Sequence, residues 1–304
     1  MDNFPTHLKI LSLVLIILVS FLFTFLLGLV IAIPFYGTDV LTQLSKVSDF
    51  LNPESLSLLK YFQIVNQIGL FIIPSFIFAF FVNRNISKYL KLNTKPLSFS
   101  MIAGVCLILL ALPLVGFLAE INEMMSLPDS LAGIENWMRE SEDQAMKLTT
   151  AFLDNGSVSG LVINLLMIAI IPAFGEEFIF RGILLRLFRE WTKNIHLAVF
   201  ISAFIFSAIH LQFYGFLPRM MLGVILGYLF VWSGSIWVPI IVHFANNAAA
   251  VIVYFLSNRG IINSDLESLG STDNVIYLLL SILFVSFFIF MIYKKEKNNN
   301  PKLV

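Results

Sequence analysis

The chain has 304 residues, of which 58% are hydrophobic and only 12% are charged. Soluble globular chains average about 45–50% apolar and about 25% charged residues, so this composition excludes a soluble globular domain. Basic and acidic residues number 19 each, the formal net charge is zero, and no nucleic-acid partner is expected. The composition predicts an all-α, polytopic helix bundle in the lipid bilayer.

Eight apolar stretches are predicted to span the membrane as helices. The first exceeds the ~7–15-residue apolar core of a signal peptide, and we expect it to be retained. The whole chain, 1–304, is interpreted as one membrane domain. The stretches are Ile10–Phe35, Tyr61–Val82, Leu97–Leu118, Leu161–Phe188, Leu197–Leu211, Phe213–Trp232, Ile236–Phe255 and Val275–Tyr293.

The charges between these stretches alternate in sign, and lysine and arginine mark the cytoplasmic side of a membrane protein. Acidic residues dominate the opposite side, above all in the run from Glu120 to Asp154. The pattern predicts a multi-pass protein of the cell membrane with both termini in the cytoplasm. The basic clusters that follow the second, fourth and eighth stretches are Arg84, Lys88, Lys91 and Lys95; Arg186, Arg189 and Lys193; and Lys294, Lys295, Lys297 and Lys302.

This pattern divides the chain into three parts. Residues 1–157 are predicted to form three helices and an acidic extracytoplasmic loop, 158–256 a catalytic four-helix core, and 257–304 the last helix and a basic cytoplasmic tail. Apolar residues among the acids of 121–157 are compatible with amphipathic helices at the membrane interface, as a lid or as a plain surface loop. Prolines predict kinks in four of the membrane helices, at Pro74, Pro113, Pro172 and Pro239.

Three charged residues, Glu176, Glu177 and Arg181, lie inside the apolar fourth stretch. Each costs roughly 2.5–3.5 kcal/mol at membrane depth on insertion scales, so their presence predicts a functional site. Two adjacent carboxylates at low dielectric cannot both ionise cheaply, which suits Glu176 to act as a general base. Glu177 and Arg181 are four residues apart and are expected to pair on one helical face, in support of the site or simply as a bridge between helices.

Two histidines also lie in apolar stretches. His210 ends the sequence Phe206-x-x-x-His in the fifth stretch, and His243 begins the sequence His-x-x-x-Asn247 in the seventh. A separation of four residues places His243 and Asn247 on the same helical face. At a rise of ~1.5 Å per residue, Glu176, His210 and Asn247 lie at similar depths.

Two other polar residues of the apolar stretches have simpler interpretations. Arg219 follows Pro218 at the outer end of the sixth stretch and is expected to extend its guanidinium to the lipid headgroups. Asn246 is expected to face away from Asn247 and to join helices.

The ordered set Glu-Glu-x-x-x-Arg, Phe-x-x-x-His and His-x-x-x-Asn resembles the CPBP intramembrane protease family, which includes type II CAAX prenyl endopeptidases and bacterial Abi proteins. The resemblance covers roughly residues 161–255. It implies an intramembrane endopeptidase that processes a membrane-associated protein or peptide, of the CAAX type or of the bacteriocin or signal-peptide type. Glu176 would activate water together with His210. His243 and Asn247 would stabilise the oxyanion.

The need for a metal stays open. Glu176, His210 and His243 are compatible with a His₂Glu site for zinc or another divalent metal, and the family is commonly called a metalloprotease. A metal-free glutamate mechanism is equally compatible, because no His-Glu-x-x-His helix is present and Asn247 is a poor zinc ligand.

Two alternative functions also stay open. A proton-coupled transporter fits the carboxylate-histidine cluster, although no two-fold repeat of broken helices is visible in the sequence. A non-catalytic membrane partner, such as an immunity protein, is the second alternative.

Overall fold

The computed structural model describes residues 1, 4–38, 40–41, 53–154, 156–262, 270 and 274–299. Every regular element in these ranges is helical, which confirms the predicted all-α membrane bundle. Lys302 of the predicted basic tail lies outside the described residues, whereas Lys294, Lys295 and Lys297 belong to the last helix.

Most of the described residues belong to α-helices. In chain order they are α1 Thr6–Tyr36, α2 Pro53–Gln67, α3 Ile73–Val82, α4 Ile86–Tyr89, α5 Ser98–Leu110, α6 Leu112–Glu123, α7 Ala132–Leu153, α8 Val158–Asn164, α9 Ile171–Glu177, α10 Leu185–Thr192, α11 Ile195–Ala208, α12 Phe216–Ser233, α13 Trp237–Asn258 and α14 Val275–Asn299. Wider π-helical turns join some of them: π1 Ile68–Ile72, π2 Leu165–Ile170 and π3 Phe178–Leu184.

Six helical spans of the described chain are long and apolar enough to cross a membrane, so the protein is a multi-pass membrane protein. A seventh is formed if α5 and α6, which meet at an angle of 48°, count as one span. The remaining predicted stretch is α11, whose 14 residues fall short of the ~20 that a crossing needs. The predicted number of eight is therefore reached only if α11 counts as a crossing. The six spans are Thr6–Tyr36, Glu54–Val82, Val158–Thr192, Phe216–Ser233, Trp237–Asn258 and Val275–Asn299.

Three of the predicted kinks coincide with irregular helix geometry. Pro74 and Pro172 are each the second residue of an α-helix that directly follows a π-helix. Because proline cannot donate a backbone hydrogen bond, the helix relaxes into a wider turn before it. Pro113 is the second residue of α6, next to the 48° bend. Pro239 lies in the first turn of α13, where its missing N–H leaves no gap in the helix.

The span Val158–Thr192, here called the glutamate helix, lies in the centre of the bundle. It runs through α8, π2, α9, π3 and α10, and its residues from 178 to 188 are nearly all buried. The hairpin of α11 and α12 packs against it, with Asn194 capping the first turn of α11. By contrast, α1 and α14 expose long rows of leucine, valine and phenylalanine, as helices in contact with lipid do.

Gly175 allows a close approach between the glutamate helix and the second span. A Cβ atom at this position would lie 2.7 Å from Cβ of Phe71 and 3.3 Å from Cγ1 of Ile72, both in π1. Cβ of Phe71 is fixed to its backbone and cannot rotate away. The absence of a side chain at Gly175 thus sets the distance between these helices one residue before Glu176.

We expect Gly175→Ala to lower the free energy of unfolding by about 1–3 kcal/mol, because the helices must separate to admit the methyl group. Chemical unfolding of the purified protein in lipid or detergent measures this change. Gly133→Ala in α7 is the matched control, since no heavy atom lies within 4 Å of a Cβ there. Equal stability of the two variants would contradict the packing argument.

Candidate active site

A cavity of about 530 Å³ lies inside the bundle, and the four predicted catalytic residues line it. The glutamate helix contributes Glu176, the segment after α11 contributes His210, and α13 contributes His243 and Asn247. Three separate parts of the chain therefore bring carboxylate, imidazole and amide groups to one cavity. Other parts of the wall come from α2, α5, α6, α7 and α12.

Glu177 lies behind this cavity wall, with no exposed surface. Its Oε1 atom accepts one hydrogen bond from Nη1 of Arg181 at 2.6 Å and another from Nδ1 of His243 at 2.8 Å. Nη2 of Arg181 donates to the carbonyl of Gly223 in α12 at 3.0 Å, and its guanidinium stacks on Phe206 of α11. The predicted Glu177–Arg181 pair thus exists and connects the glutamate helix to α11, α12 and α13.

The contact with Glu177 fixes the orientation of the His243 ring. A carboxylate oxygen only accepts hydrogen bonds, so the proton of a neutral His243 lies on Nδ1. Nε2 then points towards Oε2 of Glu176, at a distance of 3.8 Å. Nε2 can donate a hydrogen bond into the cavity only when the imidazole is protonated.

Glu176 is 5% exposed, and within the described chain its carboxylate accepts no hydrogen bond from a protein group. It differs in this respect from Glu177, whose Oε1 already has two donors. Buried carboxylates normally have partners. The oxygens of Glu176 are therefore available to water or to a ligand in the cavity.

His210 lies two residues beyond the end of α11, so its predicted place inside the fifth helix is wrong by about half a turn. Its Nδ1 donates to the carbonyl of Phe206 at 2.7 Å, which leaves Nε2 free to face the cavity. The ring of Phe206 also contacts the rings of His210 and His243 edge to face, at 5.2 and 5.9 Å between centroids. The four-residue spacing of Phe206 and His210 thus places one aromatic ring between two imidazoles.

Asn247 connects α13 to the glutamate helix. Its Nδ2 donates to the carbonyl of Ile168 at 3.0 Å, and its Oδ1 accepts from Nδ2 of Asn246 at 3.0 Å. Pro172 has no N–H to offer that carbonyl four residues earlier, so the amide of Asn247 replaces the missing donor. One N–H of Asn247 remains for a ligand. Asn246 also lines the cavity, so the expectation that it faces away was wrong.

The acidic segment predicted to be a lid or a surface loop forms one 22-residue helix, α7. Its residues Ala145, Leu148, Thr149 and Phe152 line the cavity, so α7 is a wall of the site. Glu142 of the same helix accepts a hydrogen bond from the backbone N–H of Tyr214 at 3.1 Å. Burial raises the pKa of the Glu142 carboxyl, and the hydrogen bond from Tyr214 and the nearby guanidinium of Arg219 oppose this shift.

Asn122, at the end of α6, also holds the segment between α11 and α12, to which Tyr214 belongs. Its Nδ2 donates to the carbonyl of Phe213 at 2.8 Å, and its Oδ1 accepts from the N–H of Leu217 at 2.7 Å. Trp137 of α7 packs against Phe213 with 5.2 Å between ring centroids. The sequence offered no sign of this role, because a single asparagine near a helix end is unremarkable until the chain has folded.

Arg219 occupies the cavity wall, and the expectation that it extends to the headgroups was wrong. Its Nη2 donates to Oε1 of Gln212 at 2.7 Å, and Nη1 lies 3.4 Å from the carbonyl of Gln212. Gln212 belongs to the segment between α11 and α12, so hydrogen bonds to that segment hold the guanidinium at the cavity wall. A cation in the first turn of a helix is unfavourable, because the helix dipole is positive there. The position of Arg219 at the start of the sixth stretch was therefore a signal in the sequence that deserved a second interpretation.

The donor set predicted for a metal was Glu176, His210 and His243. Within the described residues, no group of three histidine, cysteine, aspartate or glutamate side chains is arranged to hold a metal ion. The residues present therefore do not fit the predicted His₂Glu site.

Residues 158–249 match a family model described as type II CAAX prenyl endopeptidase Rce1-like. The predicted resemblance to the CPBP family is confirmed. A curated relative, the uncharacterized protein YpbD of Bacillus subtilis (strain 168), is 26% identical over 89 residues, which cover 28% of this chain and 42% of YpbD. The chain thus spans less than half the length of that relative. No solved structure matches the chain.

The segment matched to the CPBP family contains all the predicted site residues but only part of the cavity. Gln63 and Gln67 of α2, Ile108 of α5 and Val115 of α6 line the cavity from outside the matched residues, together with the four residues of α7. The residues predicted to be catalytic therefore lie in the matched segment. The walls that shape the space around them come largely from the rest of the chain.

We expect Arg181→Met to lower the free energy of unfolding by about 3–5 kcal/mol, because it leaves Glu177 buried beside His243 without its cation. Thermal unfolding in detergent measures the effect. The double variant Glu177→Gln with Arg181→Met should recover part of the loss, since no unpaired charge remains. Arg139→Met, in the exposed pair of Arg139 with Glu135, is the control and should leave the unfolding midpoint unchanged. A tolerated Arg181→Met would contradict the ion-pair argument.

Proposed function

We propose that this protein is an intramembrane endopeptidase of the CPBP family that hydrolyses a peptide bond of a membrane-associated protein or peptide. The observation that carries the proposal is the pair of Glu176 and His243 at the cavity wall. Oε2 of Glu176 and Nε2 of His243 are 3.8 Å apart, and both face the cavity, while Glu177 holds the far side of the imidazole ring. The match of this segment to type II CAAX prenyl endopeptidases supports the same chemistry.

In this proposal Glu176 is the general base. Its free carboxylate takes a proton from a water molecule, and the resulting hydroxide attacks the carbonyl carbon of the scissile amide. Nε2 of His210 accepts a hydrogen bond from the other O–H of that water and so holds the water molecule in position. When the tetrahedral intermediate collapses, Glu176 gives its proton to the leaving amine nitrogen, which restores the carboxylate.

The oxyanion of the intermediate needs donors that are already in place. The free N–H of Asn247 is one, and its position is fixed by the hydrogen bond to Ile168. Nε2 of protonated His243 is the other, with Glu177 compensating the charge of the imidazolium. Loss of one such donor typically reduces turnover about 10²–10³-fold. No step in this scheme passes through a metal, because the donor set does not fit one.

The substrate class follows from where the site lies. The cavity is lined by apolar membrane helices and by α7, so we infer a substrate segment that is anchored in or on the bilayer. The cell membrane is the proposed location. We also propose 158–256 as the catalytic core, with 1–157 supplying walls of the substrate cavity and 257–304 the last helix and the cytoplasmic tail.

We expect purified protein in lipid to cleave members of a panel of membrane-anchored peptides, and Glu176→Ala and His243→Ala to abolish cleavage. Asn247→Ala should reduce turnover about 10²–10³-fold. Mass spectrometry of the products measures the rate and locates the cleaved bond. Exposed Glu140→Ala and His7→Ala are matched controls and should cleave normally.

A chelator arm and a transport arm decide between the alternatives. Cleavage should persist in the chelator, whereas loss of cleavage that added zinc restores would assign a metal to the site. Absence of cleavage together with proton-coupled uptake into vesicles would support the transporter hypothesis. Absence of both, with protection of a co-expressed partner, would support a non-catalytic role.

A further inference from the structure

Arg219 is a second charged group of the cavity, and the proposed hydrolysis does not use it. It lies in the first turn of α12, on the wall that also includes Pro218 and Leu222. Its guanidinium carries five N–H donors in a planar fork. Both of its hydrogen bonds in the described structure go to neutral oxygens of Gln212.

The charge of Arg219 is incompletely compensated. Within the described residues, no carboxylate oxygen lies within 4.0 Å of its nitrogens, whereas Arg181 has its ion pair at 2.6 Å. A buried cation normally has such a partner. The N-terminal end of α12 adds a further partial positive charge at the same place. This part of the cavity is therefore suited to an anion.

Two carboxylates lie in the surroundings of Arg219. Glu142 reaches it electrostatically from α7, but its Oε2 is used by the backbone N–H of Tyr214. Glu176 faces the same cavity from the glutamate helix and has the catalytic role proposed above. Neither forms an ion pair with Arg219, so part of the guanidinium fork is left for a ligand.

We propose that Arg219, positioned by Gln212, is a specificity-determining residue that binds a carboxylate of the peptide substrate. The proposal rests on the proposed peptidase function and adds a second contact point in the same cavity. Two parallel N–H donors of a guanidinium match the two oxygens of a carboxylate. The carboxylate is either the free carboxyl terminus of the peptide or an aspartate or glutamate side chain near the scissile bond.

The test compares peptides that differ only in this charge. A peptide that the wild type cleaves is prepared as the free acid and as the carboxyl-terminal amide, each with and without an acidic side chain near the cleaved bond. For the preferred acid, Arg219→Gln should raise KM about 10- to 100-fold, with a much smaller change in kcat. Arg219→Lys should recover part of this loss. Arg259→Gln, at an exposed arginine, is the matched control and should cleave like the wild type.

The pattern across the peptides identifies the source of the carboxylate. If only the amide cap removes the sensitivity to Arg219→Gln, the terminal carboxylate is the ligand; if only loss of the acidic side chain removes it, the side chain is. Equal losses for charged and uncharged peptides would assign Arg219 a structural role and overturn the proposal. So would a wild type that does not discriminate among the four peptides.

Binding measurements separate failure of this proposal from failure of the peptidase function. Fluorescence anisotropy of the four peptides with Glu176→Ala protein in lipid requires no cleavage. The carboxylate site is supported, even if the wild type cleaves nothing, when the acid binds more tightly than the uncharged peptide and this difference disappears once Arg219→Gln is added. Equal binding of acid and amide, with or without the acidic side chain, overturns the carboxylate site even if cleavage occurs.

Discussion

The site depends on one buried oxygen atom, Oε1 of Glu177, which accepts hydrogen bonds from both Arg181 and His243. Burying a carboxylate, a guanidinium or an imidazole costs free energy. The three groups are tolerated here because the guanidinium and the imidazole both form hydrogen bonds with the carboxylate. Removing Glu177 or Arg181 leaves a buried charge without its ion pair, and removing Glu177 also leaves Nδ1 of His243 without its acceptor. The arrangement therefore links the stability of the bundle to the orientation of the imidazole ring at the cavity wall.

The same interaction explains why the two adjacent glutamates differ. Oε1 of Glu177 points away from the cavity and accepts two hydrogen bonds, whereas Glu176 points into the cavity and accepts no hydrogen bond from the protein within the described chain. Successive residues of a helix point about 100° apart, so one helix can present one carboxylate to the interior of the bundle and the next to a ligand. The close approach at Gly175 and the π-helices on either side of α9 fix the rotation of this segment.

The sequence drew attention to the candidate site residues because charged and amide side chains at membrane depth are rare and their spacings are short. It predicted the pairing of Glu177 with Arg181, and it identified His210, His243 and Asn247, which the fold brings to one cavity. It could not predict the interior position of Arg219, since that depends on how α6 and α7 hold the segment between α11 and α12. Such contacts join residues far apart in the chain, and no local pattern encodes them.

The segment between α11 and α12 shows why those distant contacts matter for function. It begins beside His210 and ends in the turn that carries Arg219, so its position sets the distance between the imidazole that we propose holds the water and the proposed carboxylate site. Asn122 fixes it with two backbone hydrogen bonds, and Glu142 adds a third. Both residues lie outside the segment matched to the CPBP family. In the proposed function, chains that share these site residues would differ in the peptides they accept, because the spacing between the two proposed contact points is set by residues outside the proposed catalytic set.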